Sequence, residues 1–181
     1  ALNHSNCIET NGDEYFTELM KSEKNIVFEG SQGFLLDPTF GFYPYVTKSD
    51  TTFQSSLKLI NNTVNKSNIK KISVFRAYCT RHGKGPFITE NKRLEKIIPD
   101  IHNATNKWQG KLKIGWFDLL TAKYSILMNR PDSIALTCLD RLSNLNNIFI
   151  CTSYEYTGIN EYYLDMFFEY NQLTSNKIEI T

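Results

Sequence analysis

The sequence predicts an α/β fold in which a mainly parallel sheet carries helices on both faces. Four short apolar segments have the length and composition of buried strands, at residues 25–30, 71–78, 133–140 and 147–154. Segments with helical spacing of apolar residues lie among them, and the first three strands each lead into a loop of glycine or polar residues. Strands that alternate with helical crossovers are typical of parallel or mixed sheets.

The other predicted elements are assigned from local pattern. They are a short helix at 15–20, an irregular turn-rich segment from Gly30 to about Thr52, a helix at 53–68, a loop at 81–87 and an amphipathic helix at 116–129. Arg130 and Pro131 are expected to end the last helix, because the residue before a proline is disfavoured in helical conformation.

Composition narrows the classes of function. The 181 residues carry 20 Lys and Arg against 19 Asp and Glu, a net charge of +1, and 41% of the residues are hydrophobic. This is typical of one globular domain and argues against a strongly basic nucleic-acid binder or a membrane-surface protein. The four cysteines form no CxxC pair and have no histidine at metal-ligand spacing, which favours reduced thiols and a cytoplasmic protein without a zinc site.

Three loops that follow predicted strands are the candidate ligand site. They hold Gln32, Arg81 and Asp140, and side chains of this kind supply directional donors and acceptors for a nucleotide. Glycine and polar residues also mark ordinary turns, and neither GxxxxGK[ST] nor GxGxxG is present. The segment from Lys107 to Lys113 is basic with one tryptophan, which suits either a small-anion clamp or a solvated loop.

Six blocks in order resemble the adenylosuccinate synthetase family. FEGSQG at 28–33, LLD at 35–37 and GFYPYVTKSDTT at 41–52 are similar to the family pattern FEGAQG, LLD and GTYPYVTSSNTT at matching spacing. AYCTRHGKGPFITE at 77–90, GWFDL at 115–119 and LTCLD at 136–140 resemble AYTTRVGxGPFPTE, GWLDL and LTKLD. The resemblance implies a fold like that of the P-loop nucleotide hydrolases, incomplete in this chain.

The resemblance also implies a reaction and a set of site residues. In the family, a triphosphate phosphorylates the 6-oxygen of IMP, and the amino group of aspartate then displaces the phosphate. The implied site residues are Gln32, Thr47, Arg81 and His82 for the monophosphate substrate, Thr105, Lys111 and Lys113 for aspartate, and Asp140 and Cys138 for the donor base. The implied ligands are Mg²⁺ and GTP or ATP, bound mainly by other parts of the enzyme, and a homodimer is expected.

Departures from the family pattern leave alternatives open. The aspartate loop TTGRRRR appears as ATNKWQGKLK at 104–113 with a changed length, and Cys138 replaces a lysine. The family's phosphate loop and its catalytic Asp and His are not found, so we expect a C-terminal part of a longer synthetase, inactive alone. The alternatives are the same ligation on dGMP in a phage-type pathway, or a non-catalytic nucleotide-binding module.

Overall fold

The fold is seen in a computed structural model, which describes residues 12–22, 25–60, 68–98, 110–155 and 172–178. Its helices are α1 (Gly12–Lys21), α2 (Phe53–Ile60), α3 (Lys92–Ile97) and α4 (Leu119–Asn129), with short 3₁₀ turns at Phe34–Leu36 and Leu139–Leu142. Its strands are β1 (Ile72–Arg76), β2 (Cys79–His82), β3 (Leu112–Gly115), β4 (Phe117–Asp118), β5 (Ser133–Thr137), β6 (Ile148–Glu155) and β7 (Gln172–Ile178).

The described strands form three small sheets. β1 pairs with β5 in parallel, from Ile72 opposite Ser133 to Arg76 opposite Thr137. β2 and β3 are antiparallel, and β6 lies between β4, which is parallel to it, and β7, which is antiparallel. The predicted α/β class is confirmed, with antiparallel pairs beside the parallel ones.

The core lies where α3 packs on the β2–β3 pair. Its buried members are Ala77, Tyr78, Leu94, Ile98, Leu112, Ile114 and Leu142. Asn91 begins α3 by accepting hydrogen bonds at its side-chain oxygen from the backbone N–H groups of Arg93 and Leu94. Leu94 is thereby placed against β3, where only 1% of its surface stays exposed.

Helix α4 connects the core to the loop between α1 and α2. Asp118 caps its first turn, and Arg130 ends it in a left-handed conformation (φ 48°) just before Pro131. The Tyr124 hydroxyl donates to the Phe40 carbonyl at 3.0 Å, and the Asn129 side chain accepts from the N–H of Phe53 at 3.4 Å.

Most predicted elements are confirmed, with corrected boundaries. The helices at 15–20, 53–68 and 116–129 are α1, α2 and α4; α2 is described as far as Ile60, and residues 61–67 lie outside the described ones. Helix α4 starts at Leu119 because residues 117–118 are a strand whose Asp118 is the cap. The predicted strand at 133–140 ends at Thr137, where Cys138 turns the chain with a φ of 61°.

Two predictions are wrong. Residues 25–30 form no strand, and Val27 is 88% exposed, because no described residue pairs with this segment. The loop predicted at 81–87 begins only at Gly83, since Arg81 and His82 pair with Lys113 and Leu112 of β3. No helix within the described ranges is long and apolar enough to cross a membrane.

Candidate functional site

The loop that holds Gln32 and Thr47 is organised by the buried carboxylate of Asp37. One carboxylate oxygen accepts from the backbone N–H groups of Thr39 at 2.8 Å and Phe40 at 3.2 Å, and the other accepts from that of Thr51 at 3.0 Å. Asp37 therefore ties together chain positions 14 residues apart. Sequence reasoning quoted Asp37 within a motif but gave it no role.

Gln32 and Thr47 sit at the two ends of this organised loop. Gln32 is exposed and has a left-handed backbone (φ 67°), a conformation that is uncommon for residues other than glycine, asparagine and aspartate. The N–H of Thr47 donates to the Leu36 carbonyl at 2.7 Å, and its side-chain oxygen accepts from Ser49 N–H at 3.5 Å. The hydroxyl of Thr47 keeps a proton to donate and a further lone pair.

A cavity of about 230 Å³ opens beside Ser31, the residue that precedes Gln32. Its lining is rich in hydroxyl groups and comprises Glu29, Gly30, Ser31, Asp50, Thr51, Thr52, Ser55, Ser56 and Leu59. The Thr51 hydroxyl is buried and has no hydrogen-bond partner among the described residues. Sequence reasoning placed a loop here and did not find the cavity, since the lining hydroxyls come from α2 as well as from the loop.

Arg81 links strand β2, of which it is part, to the loop that holds Gln32 and Thr47. Its Nε and Nη2 donate to the carbonyl of Lys84 at 3.1 and 2.9 Å, and Nη2 also lies 3.4 Å from the carbonyl of Tyr45. Burial lowers the pKa of Arg81 from its ordinary value. Among the described residues no carboxylate pairs with this guanidinium, so a half-buried cation is met by carbonyl dipoles alone. An anionic ligand would therefore stabilise this half-buried cation.

His82 is directed to the opposite side of the same strand. It pairs with Leu112 across the β2–β3 ladder, and directly opposed residues share a face of the sheet. Leu112 is a core residue, and the Nδ1 atom of His82 is buried with no hydrogen-bond partner in the described ranges. The structure therefore brings Arg81, but not His82, to the face that meets Tyr45.

Both predicted aspartate-binding lysines are engaged in ion pairs. Lys113 Nζ lies 3.2 Å from a carboxylate oxygen of Glu90, and Lys111 pairs with Glu95. Lys113 also lies directly opposite Arg81, in the adjacent strand. Thr105, the third residue of this set, lies outside the described residues.

The two predicted donor-base residues follow β5. Cys138 is partly buried and packs against the core, whereas the Asp140 side chain is 81% exposed, 3.9 Å from Nε of Arg141. The carboxyl end of β5 lies beside that of β1, and the Thr137 hydroxyl donates to the Phe75 carbonyl at 3.1 Å. The exposed carboxylate of Asp140 is thus presented at the edge of the sheet where ligands bind in parallel α/β folds.

A buried polar cluster that sequence reasoning did not single out surrounds Asp118. Besides capping α4, Asp118 accepts a short hydrogen bond from the hydroxyl of Tyr154. Cys151 is its register partner in β6, and burial raises the pKa of Cys79 to about 11 and that of Tyr154 well above its usual range. The block GWFDL contained the signal, because an Asp directly before an apolar helix is a typical N-cap.

Taken together, these features define an α/β protein that carries polar candidate ligand groups on the Asp37-organised loop, at Arg81 of β2 and at Asp140 after β5. The model of the adenylosuccinate synthetase family matches residues 4–179. The chain belongs to this family, and the resemblance seen in its six sequence blocks is confirmed.

Comparisons with individual relatives support the same family membership. The chain is 41% identical over 152 residues to an adenylosuccinate synthetase of Thermoplasma volcanium, covering 80% of this chain and 34% of that protein. It is 37% identical over 155 residues to the one from Borrelia duttonii, covering 82% of this chain and 35% of that protein. A solved structure, titled as fully ligated adenylosuccinate synthetase from Plasmodium falciparum, matches with a TM-score of 0.68 and 28% identity, covering 81% of this chain and 35% of that one. The chain thus spans about a third of the length of the relatives it matches.

Proposed function

We propose that this chain contributes the substrate-binding part of a ligase that joins aspartate to the 6-position of IMP at the expense of a nucleoside triphosphate. The observation that carries the proposal is the match to adenylosuccinate synthetases over a region that includes the Asp37-organised loop. Gln32 and Thr47 bind the monophosphate substrate through uncharged donors and acceptors. Arg81 supplies the positive charge on the same side of the loop.

The geometry supports a binding role rather than a proton-transfer role for these residues. Amide and hydroxyl groups at neutral pH orient a ligand without exchanging protons with it. We place the proton-transfer and triphosphate-binding groups of the reaction in parts of the synthetase that this chain does not cover.

The same proposal assigns Mg²⁺ and most contacts to GTP, or to ATP, to those other parts. Within the described ranges, His, Cys, Asp and Glu side chains do not gather in groups of three that could hold a metal ion. Asp140 fits a narrower role, since its two carboxylate oxygens can accept from the ring N–H and the exocyclic amine of guanine.

Exposed apolar residues support a longer protein. Parallel strands are normally buried on both faces, yet Val74 of β1 is 66% exposed and Ile134 of β5 is 53% exposed. These two side chains lie on opposite faces, because Val74 pairs with Ala135 and Ile134 pairs with Ser73. We propose that further residues of a cytoplasmic, homodimeric synthetase cover them. The intact mass of the purified native protein and its mass by light scattering test length and oligomeric state.

The test of function is a ligation assay on the active enzyme that carries this chain. IMP, aspartate and GTP should yield adenylosuccinate, with dGMP and ATP offered in parallel reactions. Gln32→Ala should raise the KM for the monophosphate about 5- to 150-fold, which corresponds to the cost of about 1–3 kcal/mol for a lost polar partner. The matched control is Gln54→Ala, at an exposed position of α2.

Each outcome decides between the functions considered. Product from dGMP alone would move the protein to the phage-type reaction. Nucleotide binding without product would favour a non-catalytic module. An unchanged KM in the Gln32→Ala enzyme would remove Gln32 from the monophosphate site.

A further inference from the structure

Five charged side chains at the junction of α3 and β3 form a continuous lysine–glutamate network. In order, its members are Lys113, Glu90, Lys92, Glu95 and Lys111. Each glutamate contacts one lysine from the β3 segment, and both glutamates share Lys92 of α3, which hydrogen-bonds Glu90 and lies 4.0 Å from Glu95. Lys92 is therefore the one member of the network with two carboxylate partners.

The backbone fixes the position of Glu90 beside β3. Residue Glu90 bridges to Gly115, the N–H of Asn91 donates to the Ile114 carbonyl at 2.9 Å, and the N–H of Trp116 donates to the Thr89 carbonyl at 3.1 Å. A Cβ atom at Gly115 would lie 2.4 Å from the Thr89 carbonyl oxygen, so glycine permits this close approach. The charged side chains of the network therefore extend from backbone segments that are hydrogen-bonded to each other.

We propose that Lys92 is a positioning residue for the amino-acid substrate: it remains beside Glu90 and Glu95 as their shared cation when Lys113 and Lys111 exchange these glutamates for the two carboxylates of aspartate. This inference rests on the proposed function, because it takes Lys111 and Lys113 as the aspartate-binding lysines. Lys92 itself does not touch the substrate. Its role is to reduce the cost of releasing the two lysines.

The charges and exposures make the exchange feasible. The side chains of Lys111 and Lys113 are 65% and 34% exposed, and ion pairs with a solvated partner contribute little to stability. The carboxylates are the more buried partners, at 12% and 23% exposure, so they would be left costly and unpaired if no cation remained.

Lys92 already stands in the place where the replacement charge is needed. The hydrogen bond from Lys92 is the main cause that holds the pKa of Glu90 below its ordinary value, ahead of the contribution of Lys113. Departure of Lys113 therefore leaves Glu90 with its stronger partner. Without Lys92, both glutamates would compete fully with the substrate for the β3 lysines.

The test compares Lys92→Gln with Lys96→Gln in the active enzyme that carries this chain. Lys96 is an exposed lysine of the same helix, and it forms no ion pair with the described residues. Lys92→Gln should raise the KM for aspartate about two- to fivefold per lysine released, the size of an exposed ion pair, with kcat and the KM for IMP unchanged. Lys92→Arg, which keeps the charge, should restore the original value, and Lys96→Gln should have no effect.

Two results separate this inference from the proposed function. If Lys113→Gln raises the KM for aspartate but Lys92→Gln leaves it unchanged or lowers it, the exchange is refuted and the aspartate-binding role of Lys113 stands. If Lys113→Gln and Lys111→Gln both leave that KM unchanged while adenylosuccinate is still formed, the lysines do not bind aspartate and the inference falls with that assignment. Equal losses for all substrates in Lys92→Gln, unrepaired by Lys92→Arg, would show a purely structural role and would also overturn it.

Discussion

Replacing Asp37 by asparagine should loosen the Asp37-organised loop, because it breaks the hydrogen bond that the Thr51 N–H donates to this side chain. An asparagine oxygen can still accept from Thr39 and Phe40, but its amide then directs N–H groups at the N–H of Thr51, so the long-range tie is lost. A hydrogen bond to a charged group is worth about 1.5–3 kcal/mol. At about 2 kcal/mol, the melting temperature should fall by roughly 4–8 °C for a chain of this size.

Asp37→Ala should be worse, because it leaves three buried or half-buried N–H groups without their acceptor. Thr39→Ala is the matched control, since it keeps every backbone donor of the same turn and changes an exposed side chain. Thermal unfolding measures the loss of stability. The KM for IMP in the active enzyme shows whether the loosened loop still binds the substrate. The reasoning is refuted if Asp37→Asn has the melting temperature of the wild type and an unchanged KM for IMP. It is also refuted if Asp37→Ala is no less stable than Asp37→Asn.

Two further predictions concern the buried cluster around Asp118. Tyr154→Phe removes the hydroxyl that donates to Asp118 and should cost about 1–3 kcal/mol in urea unfolding, because a buried carboxylate oxygen loses its partner; a neutral result would show that another donor replaces it. Burial raises the pKa of Cys79 from 9.0 to about 11. A thiol with a raised folded-state pKa stabilises the fold below pH 9 and loses that contribution as the pH rises toward 11. Stability of the wild type should therefore fall over this range more than that of Cys79→Ala, and parallel pH curves would contradict the assignment.

The local pattern of the sequence was sufficient for the helices and for the α/β class. Helices α2 and α4 carry apolar residues at helical spacing, and the stop at Arg130 and Pro131 follows from backbone sterics. Strand β1 and strand β5 are runs of apolar residues between turn signals. These features depend on near neighbours in the chain, which is why they can be read from it.

Strands that depend on a distant partner were misjudged. Residues 25–30 have strand composition but pair with no described strand, while Arg81 and His82 have loop-like neighbours and lie in a strand. In both cases the pairing partner decides, and the partners of Arg81 and His82, Lys113 and Leu112, are 32 and 30 residues away in the chain. A sheet requires a hydrogen-bonding neighbour, and no local pattern specifies where it comes from.

The partners of the charged side chains could not be predicted from the sequence either. Lys111 and Lys113 look like a free basic segment, because Glu90 and Glu95 precede them by many residues and on another element. The organising role of Asp37 depends on Thr51, and the sequence gives no sign of which of several nearby acidic residues is buried. Family resemblance identified the blocks in which these residues lie, but only the fold shows what each side chain touches.

The contrast between Arg81 and Lys113 shows where the protein has left positive charge available. The two residues are direct cross-strand neighbours, and like charges so placed are destabilising unless each is compensated. Lys113 is compensated by the carboxylate of Glu90, whereas half-buried Arg81 hydrogen-bonds to the carbonyls of Lys84 and Tyr45 and has no carboxylate partner in the described part of the chain. An anionic ligand at Arg81 would remove this imbalance without breaking an ion pair, whereas one at Lys113 must displace a glutamate. This difference agrees with the roles that the family resemblance implies and that we propose, the monophosphate at Arg81 and a carboxylate of the amino acid at Lys113.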